Sequence, residues 1–210
     1  MKWTRAVHHL ETLAQSCTDL GSRPAFSGLR VEQLWVAGDV LDEPRDDVET
    51  VTVALVVDLP VDEVPWRSEP PGAQHWANGA RLGQSPVLAL WRSAAAPVWN
   101  HRIERPALLW DSTDGLVPET LAALQDGRGD TVRLPPPAPA VLRGRLQDEL
   151  AVSDRALRAC TQTYERRRWA PGAQEPHADA LWRASAGYLE VSDALAALDA
   201  LDPEDGTDGG

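Results

Sequence analysis

The densest group of side chains with chemical potential is an acidic loop in the N-terminal half of the chain. Five of the positions from Asp39 to Asp47 are carboxylates, and Glu49 follows two residues later. Carboxylate oxygens are the ligands that Mg²⁺ prefers, so metal-assisted chemistry is one interpretation of this loop. A solvated, charged connection between two strands has the same composition, and it is the preferred interpretation.

Other reactive side chains lack the neighbours that catalysis needs. Three histidines stand alone, without a nucleophile at motif spacing: His75, His101 and His177. Ser112 and Ser153 lie in no nucleophile elbow, and the chain has neither a G-x-G-x-x-G motif nor a P-loop. Cys17 and Cys160 have no metal or redox spacing. Because Cys17 falls on a helical apolar stripe, we expect a buried, reduced thiol there.

The elements around the acidic loop follow from hydrophobic periodicity. Apolar residues recur at three- and four-residue intervals over 2–20, which predicts an amphipathic helix. A strand over 29–37 is apolar on both faces, and Gly38 then allows the backbone to turn sharply. The β-branched run 48–57 predicts the next strand. Weaker patterns predict a helix over 73–82, strands over 87–91, 98–103 and 107–110, and a helix over 118–124.

The C-terminal third is predicted to be helical. The run LPPPAPA at 134–140 is stiff and extended, which indicates a boundary between two units. Two long helices follow, with a turn at 170–175, and they should pack as an antiparallel hairpin. Arg166–Arg168 ends the first helix, where the helix dipole favours cations; this explanation is preferred to a phosphate site. The acidic residues 202–210 are predicted to be disordered.

Charge and composition exclude several classes of partner. The net charge of −12 argues against nucleic acid as the main partner. Lys2 is the only lysine, and the abundant Arg, Ala, Pro and Gly indicate a GC-rich bacterial genome. The N-terminus has no signal-peptide core, and no stretch approaches the roughly 20 apolar residues of a membrane span. We therefore expect a cytoplasmic protein without a membrane partner, and the oligomeric state stays open.

Tryptophan is unusually common, with nine residues, whereas Phe26 is the only phenylalanine. We expect tryptophan to do the core packing that phenylalanine usually does. A stacking surface for bases or sugars is the alternative.

The order helix, strand, glycine turn, acidic loop, strand resembles the nucleotidyltransferase superfamily. This superfamily includes DNA polymerase beta and the small aminoglycoside and antitoxin-type nucleotidyltransferases. In it an apolar strand ends in Gly-Ser, and an Asp-x-Asp or Asp-x-Glu pair opens the next strand. Here Val36-Ala37-Gly38 matches the strand end and Asp47-Val48-Glu49 takes the place of the acidic pair. Ile103–Trp110 resembles a later strand–turn–strand, so the resemblance spans roughly residues 3–112.

The resemblance implies both a fold and a site. It implies that Asp47 and Glu49 hold a Mg²⁺ ion, which neutralises a triphosphate and aligns it for attack. Gly38 and Asp39 occupy the place where the family cradles phosphate oxygens. Asp111 is a candidate to activate the acceptor, which would complete the catalytic set.

Three positions depart from the pattern of this family. Asp39 stands where the family has serine, and a carboxylate there repels phosphate. If the second strand is aligned by its end at Asp58, the acidic pair falls on Thr50 and Thr52, which hold Mg²⁺ poorly. The strand 87–91 offers no third carboxylate.

The sequence therefore predicts an α/β (α+β) protein with a nucleotidyltransferase-like mixed sheet and flanking helices over 1–134. A C-terminal antiparallel helical hairpin over 135–201 packs on it. The favoured function is a non-catalytic binding or scaffolding module without a cofactor. It would hold a protein partner or a nucleotide-like ligand near Trp35, Asp39 and Trp91.

The alternative function is a Mg²⁺-dependent nucleotidyltransferase that modifies a small molecule or a protein. In that case Asp47 and Glu49 would hold the metal, Asp39 would assist, and Asp111 would activate the acceptor. A third hypothesis is a structural oligomer built through the helical hairpin.

Overall fold

The computed structural model describes residues 1–22, 28–169 and 174–201. Over these ranges the protein is a mixed α+β structure, as predicted. Its helices are α1 (Trp3–Gly21), α2 (Ala73–Gly79), α3 (Pro118–Gln125), α4 (Pro139–Arg167) and α5 (Gln174–Leu201). Its strands are β1 (Val31–Ala37), β2 (Val51–Val57), β3 (Val87–Ser93), β4 (Ala107–Asp111) and β5 (Gly115–Leu116). Short 3-10 helices span Gly38–Leu41, Val61–Glu63, Leu82–Gln84 and Gly129–Val132.

The chain forms two compact units. The first combines Met1–Val64 with Glu69–Pro136. The second combines the short segment Pro65–Ser68 with the chain from Pro137 onward. The sequence predicted a boundary at residues 134–140, but nothing in its pattern indicated that Pro65–Ser68 would leave the first unit.

The first unit is built on one mixed sheet with the strand order β3-β2-β1-β4-β5. β1 pairs antiparallel with β2 and with β4, whereas β2 pairs parallel with β3. The two strands predicted on either side of Gly38 therefore lie side by side. Alternation along β1 sends Leu34 and Val36 into the core, while Gln33 and Trp35 face the opposite side.

Helix α1 covers the buried side of the sheet, and the residues of its predicted apolar stripe are buried. Leu10 and Ala6 of that stripe are completely buried in the same cluster as Leu34 and Leu55. Cys17 is free and buried there, and burial raises the pKa of its thiol above the usual range. The predicted buried thiol is confirmed.

Most of the tryptophans whose environment is described serve the core, as expected. Five are buried: Trp3, Trp66, Trp76, Trp91 and Trp110. The indole N–H of Trp3 donates to the Leu124 carbonyl at 3.1 Å, and that of Trp110 donates to the Thr18 hydroxyl at 2.8 Å. Trp35 and Trp99 are half-buried, and Trp169 and Trp182 are exposed.

One predicted strand is wrong. Residues 98–103 form bends rather than a strand, although their composition is β-like. The Asn100 side chain accepts hydrogen bonds from the backbone N–H groups of Arg102 and Ile103, at 2.9 and 3.0 Å. A side chain that binds its own neighbouring backbone competes with strand pairing and closes a turn. The structure also has the short β5, which the sequence did not indicate.

The second unit is a pair of helices with the short segment Pro65–Ser68 bound to one of them. α4 and α5 run antiparallel, since Arg143 near the start of α4 contacts Asp199 near the end of α5 at 2.9 Å. The Trp66 indole donates to Glu190 at 2.8 Å, which fixes Pro65–Ser68 on α5. The backbone passes so close that a Cβ on Gly187 would lie 2.4 Å from the Trp66 carbonyl oxygen.

Two predictions touch the undescribed residues. The turn predicted at 170–175 lies largely outside the described part of the chain, and the predicted tail at 202–210 lies wholly outside it. No helix within the described ranges combines the length and the hydropathy of a membrane span.

Candidate functional site

The glycine turn lies where the sequence places it, at the end of β1. Gly38 has φ +75°, a left-handed conformation that side chains with a Cβ rarely adopt. The chain then continues as the 3-10 helix Gly38–Leu41, in which Asp39 is exposed. The segment that the resemblance implies as a phosphate-binding turn, Gly38 and Asp39, is thus a tight turn. The carboxylate of Asp39 extends from it into solvent.

The register of β1 and β2 decides which residues face this turn. Ala37 pairs with Thr52, and Thr52 provides the atoms nearest to Gly38. Its hydroxyl oxygen would lie 3.8 Å from a Cβ added to the glycine. The strand position next to the glycine turn therefore carries a hydroxyl, which is the second of the two alignments considered from the sequence.

Asp47 and Glu49 lie before β2 rather than in it. Both are exposed, on either side of the buried Val48. The backbone of Val48 is hydrogen-bonded to Met1 in both directions, since its N–H donates to the Met1 carbonyl and its carbonyl accepts from the Met1 amino group. The loop is thus fixed at Val48, while its two flanking carboxylates remain in solvent.

The carboxylates nearest to the glycine turn are paired with arginines. Arg45 approaches Asp39 at 3.4 Å and Asp42 at 3.7 Å. Arg133 also forms an ion pair with Asp42, and it donates to the Gly38 carbonyl at 3.3 Å. Its side chain is only 8% exposed, so its contacts are far less screened by solvent than those of Arg45.

A Mg²⁺ ion does not fit this arrangement well. Across the described ranges, no three His, Cys, Asp or Glu side chains are grouped so that they could hold a metal ion. Asp39 and Asp42 are held by guanidinium groups, and the residue beside Gly38 on β2 is Thr52, whose hydroxyl is a weaker Mg²⁺ ligand than a carboxylate. Asp47 and Glu49 remain as a potential pair of Mg²⁺ ligands.

Asp111 lies at the other end of β1 from the glycine turn. It pairs across the ladder with Gln33, whose side-chain amide donates to Asp111 Oδ2 at 3.0 Å. The Trp35 indole N–H donates to the side-chain amide oxygen of Gln33, Oε1, at 2.9 Å. The Thr113 backbone N–H donates to the second carboxylate oxygen at 2.8 Å. A chain of hydrogen bonds thus runs from Trp35 through Gln33 to Asp111.

These hydrogen bonds stabilise the charged form of Asp111. The Gln33 amide is the largest cause and the Thr113 N–H the next, and together they hold the pKa of Asp111 below its usual range. Among the described residues no arginine or lysine forms an ion pair with this carboxylate. Asp111 is therefore an anion that is hydrogen-bonded but not neutralised.

A cavity of about 420 Å³ opens beside this carboxylate, within the first unit. Its polar wall is formed by Glu32, Gln33 and Asp111–Thr113, and its apolar wall by Trp35, Val56, Pro97–Trp99 and Leu134. Asp111 also lines a second cavity of about 760 Å³ beside the C-terminal end of α1, but Trp35 and Trp99 line only the first.

The apolar wall is held in place by Arg92. This residue is 2% exposed, and its guanidinium donates to the carbonyls of Val98 at 3.1 Å and Pro97 at 3.4 Å. Charge-assisted hydrogen bonds of this kind are among the stronger ones in a protein. The segment mispredicted as a strand is therefore a fixed cavity wall.

The residues predicted to surround a ligand do not come together. Trp91 is buried in the core on one side of the sheet, at 5.7 Å and 84° to the Trp76 ring. Trp35 faces the other side of the sheet. Asp39 is exposed in the turn that follows the C-terminal end of β1. Of the three, only Trp35 lines the cavity, and its neighbours there are Asp111 and Trp99.

The fold and the site define a mixed α+β protein with a cavity of ligand size beside its sheet. The chain belongs to the family described as a domain of unknown function, DUF7711, whose model matches residues 1–197. No curated protein and no solved structure matches the chain.

Proposed function

We propose that this DUF7711 protein is a non-catalytic binding module on a nucleotidyltransferase-like fold. The observation that carries the proposal is the position of Thr52, which lies beside Gly38 where a transferase of this type needs a carboxylate. A threonine hydroxyl is a poor anchor for Mg²⁺ compared with a carboxylate. Without the metal, a triphosphate would have to compete for guanidinium groups that are already paired with Asp39 and Asp42.

The charges around the glycine turn also support a non-catalytic role, because they disfavour the binding of a phosphate. Asp39 is more than two-thirds exposed, and its carboxylate would repel a phosphate approaching the backbone N–H groups. The buried guanidinium of Arg133 is already bound to Asp42 and to the Gly38 carbonyl, so it is not free to bind phosphate. The cavity beside Trp35 and Asp111 offers a better-formed place for a ligand.

The experiment that tests this proposal is thermal unfolding with Mg²⁺ and each nucleoside triphosphate in turn. A ligand that binds only the folded protein adds about 2.7 kcal/mol at 100 times its Kd. For a protein of this size that raises Tm by roughly 5 °C or more. We expect no such shift with any nucleotide.

The alternative, a Mg²⁺-dependent nucleotidyltransferase, keeps one specific observation in its favour. Asp47 and Glu49 flank a buried residue, so the two carboxylates leave the loop on the same, solvent-facing side. A nucleotide-dependent rise in Tm that disappears in the double variant Asp47→Asn, Glu49→Gln would overturn the non-catalytic proposal. The matched control is Glu43→Gln, Asp46→Asn, which removes two exposed charges from the same loop.

A further inference from the structure

We propose that the cavity beside Asp111 binds a small organic cation, an ammonium or quaternary ammonium ligand. The inference rests on the proposed binding function and names the class of ligand for it. It is carried by three features of the cavity: its size, its uncompensated negative charge and its two indole walls.

The size of the cavity fits a small organic molecule. Its volume of about 420 Å³ lies within the range of roughly 300–1,000 Å³ that is typical of ligand pockets. Its lining combines apolar side chains with polar ones that come from β1 and from residues 111–113, so it can both enclose and orient a ligand. Because Arg92 and Asn100 fix the loop that forms the apolar wall, the cavity does not depend on a ligand for its shape.

The polar side of the cavity is anionic. Asp111 is bound by neutral donors, the Gln33 amide and the Thr113 N–H, so its charge is not cancelled. Glu32, on the same side, contacts Arg30 at 2.7 Å and accepts a hydrogen bond from Ser112, so it is at least partly compensated. The guanidinium of Arg92 is turned toward the carbonyls of the wall loop rather than toward Asp111.

The indole walls add a second attraction for a cation. Trp35 and Trp99 both line the cavity, and an indole face attracts a cation through its quadrupole. The Trp35 ring cannot turn freely, because its N–H is hydrogen-bonded to Gln33. A carboxylate next to aromatic rings is the usual composition of a site for ammonium and quaternary ammonium ions.

The same features disfavour the other classes of small ligand. An anion such as a nucleotide phosphate would meet the Asp111 charge at short range. A neutral ligand of equal shape would cover that carboxylate without replacing its water, which costs free energy. The cavity therefore discriminates by charge.

The inference is tested by isothermal titration calorimetry of the full chain with choline, tetramethylammonium and putrescine. The key comparison is between choline and its uncharged isostere, in which a tert-butyl group replaces the trimethylammonium group. We expect at least one cation to bind, with choline binding about tenfold or more tightly than the isostere, as expected for a desolvated cation–aromatic contact.

Three variants locate the site. Asp111→Asn and Trp99→Ala should each weaken binding about tenfold or more, since both residues line the proposed cavity. Trp99→Ala also shows which of the two cavities lined by Asp111 binds the ligand, because Trp99 lines only the first of them. The control Glu63→Gln removes an exposed carboxylate outside the cavity and should change nothing.

The inference is overturned if none of the three cations binds at millimolar concentration, or if the isostere binds as tightly as choline. It is equally overturned if Trp99→Ala binds like the parent protein. Should Asp111→Asn fail to fold, the isostere and Trp99→Ala still decide the matter. Absence of cation binding leaves the non-catalytic proposal standing, whereas a nucleotide shift that depends on Asp47 and Glu49 overturns that proposal alone.

Discussion

The two ends of β1 differ in how their carboxylates are partnered. At the Gly38 end, Asp39 and Asp42 are paired with Arg45 and Arg133. At the Gln33 end, Asp111 is hydrogen-bonded to neutral donors and faces a cavity. The carboxylates nearest to Gly38 are thus paired with arginines of the same chain, and Asp47 and Glu49 lie exposed in the following loop. Asp111 at the other end is charged, has no guanidinium partner within the described part of the chain and lines a cavity.

This difference bears directly on function. The resemblance to nucleotidyltransferases draws attention to the glycine turn, yet the contacts there stabilise the fold rather than leave groups for a substrate. The cavity lies at the end of the strand that has no family motif. If the charges at the two ends have these different roles, substitutions at the Gly38 end should lower the stability of the protein more than substitutions at the Asp111 end.

Replacing Arg133 with Met should destabilise the protein by about 2 kcal/mol, because the nearly covered Arg133 side chain loses its charge-assisted hydrogen bonds to Asp42 and to the Gly38 carbonyl. Equilibrium urea unfolding measures this change. The matched control is Arg128→Met, since Arg128 is 63% exposed and pairs with Asp126 in solvent. That pair should contribute less than about 1 kcal/mol. Equal small losses in both variants would mean that the glycine end is not held by Arg133.

Replacing Gly38 with Ala should lower the free energy of unfolding by about 1 kcal/mol. The loss should come from backbone strain alone, not from a steric clash of the new Cβ. The position has φ +75°, but an added Cβ would meet nothing closer than Thr52 at 3.8 Å. Gly83→Ala is the control, because a Cβ there has open space and no positive φ opposes it. A loss well above the expected value would show that the space beside Gly38 is more restricted than the structure indicates.

The sequence predicted the local parts of this site and missed the parts that other segments bring to it. Helix α1 and the strands around Gly38 were predictable because periodicity and the glycine act within a few residues. Arg133 reaches Gly38 across 95 residues, and no local pattern indicates such a contact. The Gln33–Asp111 pair depends on the register of β1 and β4, which is shifted by an irregularity between Leu34 and Trp35.

The cavity wall shows a second reason for misprediction. Val98 and Ile103 have strand-like side chains, and composition alone predicts a strand between them. Asn100 and Arg92 instead bind the backbone of that segment, one from within it and one from β3. Side-chain hydrogen bonds to the backbone can therefore override a short β-like composition, and here they create the wall of the cavity.

The smallest expected effect concerns the pH dependence of the Asp111 end. The pKa of Asp111 is lowered in the folded protein, chiefly by the Gln33 amide, from a value of about 3.9 in the unfolded chain. The contribution to stability is therefore present above about pH 4, and it is lost as the pH falls through the lower, folded-state value. Gln33→Met removes the main cause, so its stability deficit relative to the parent should shrink between about pH 6 and pH 2.

Trp35→Phe supplies the matched control for that titration, because it removes the indole N–H that binds Gln33 and leaves the Gln33–Asp111 hydrogen bond in place. Its deficit in the free energy of unfolding should stay nearly constant over the same pH range, since no titrating group loses a donor. Urea unfolding at several pH values measures both variants. A constant deficit for Gln33→Met as well would show that Gln33 does not stabilise the Asp111 charge, and the contrast between the two ends of β1 would lose its electrostatic basis.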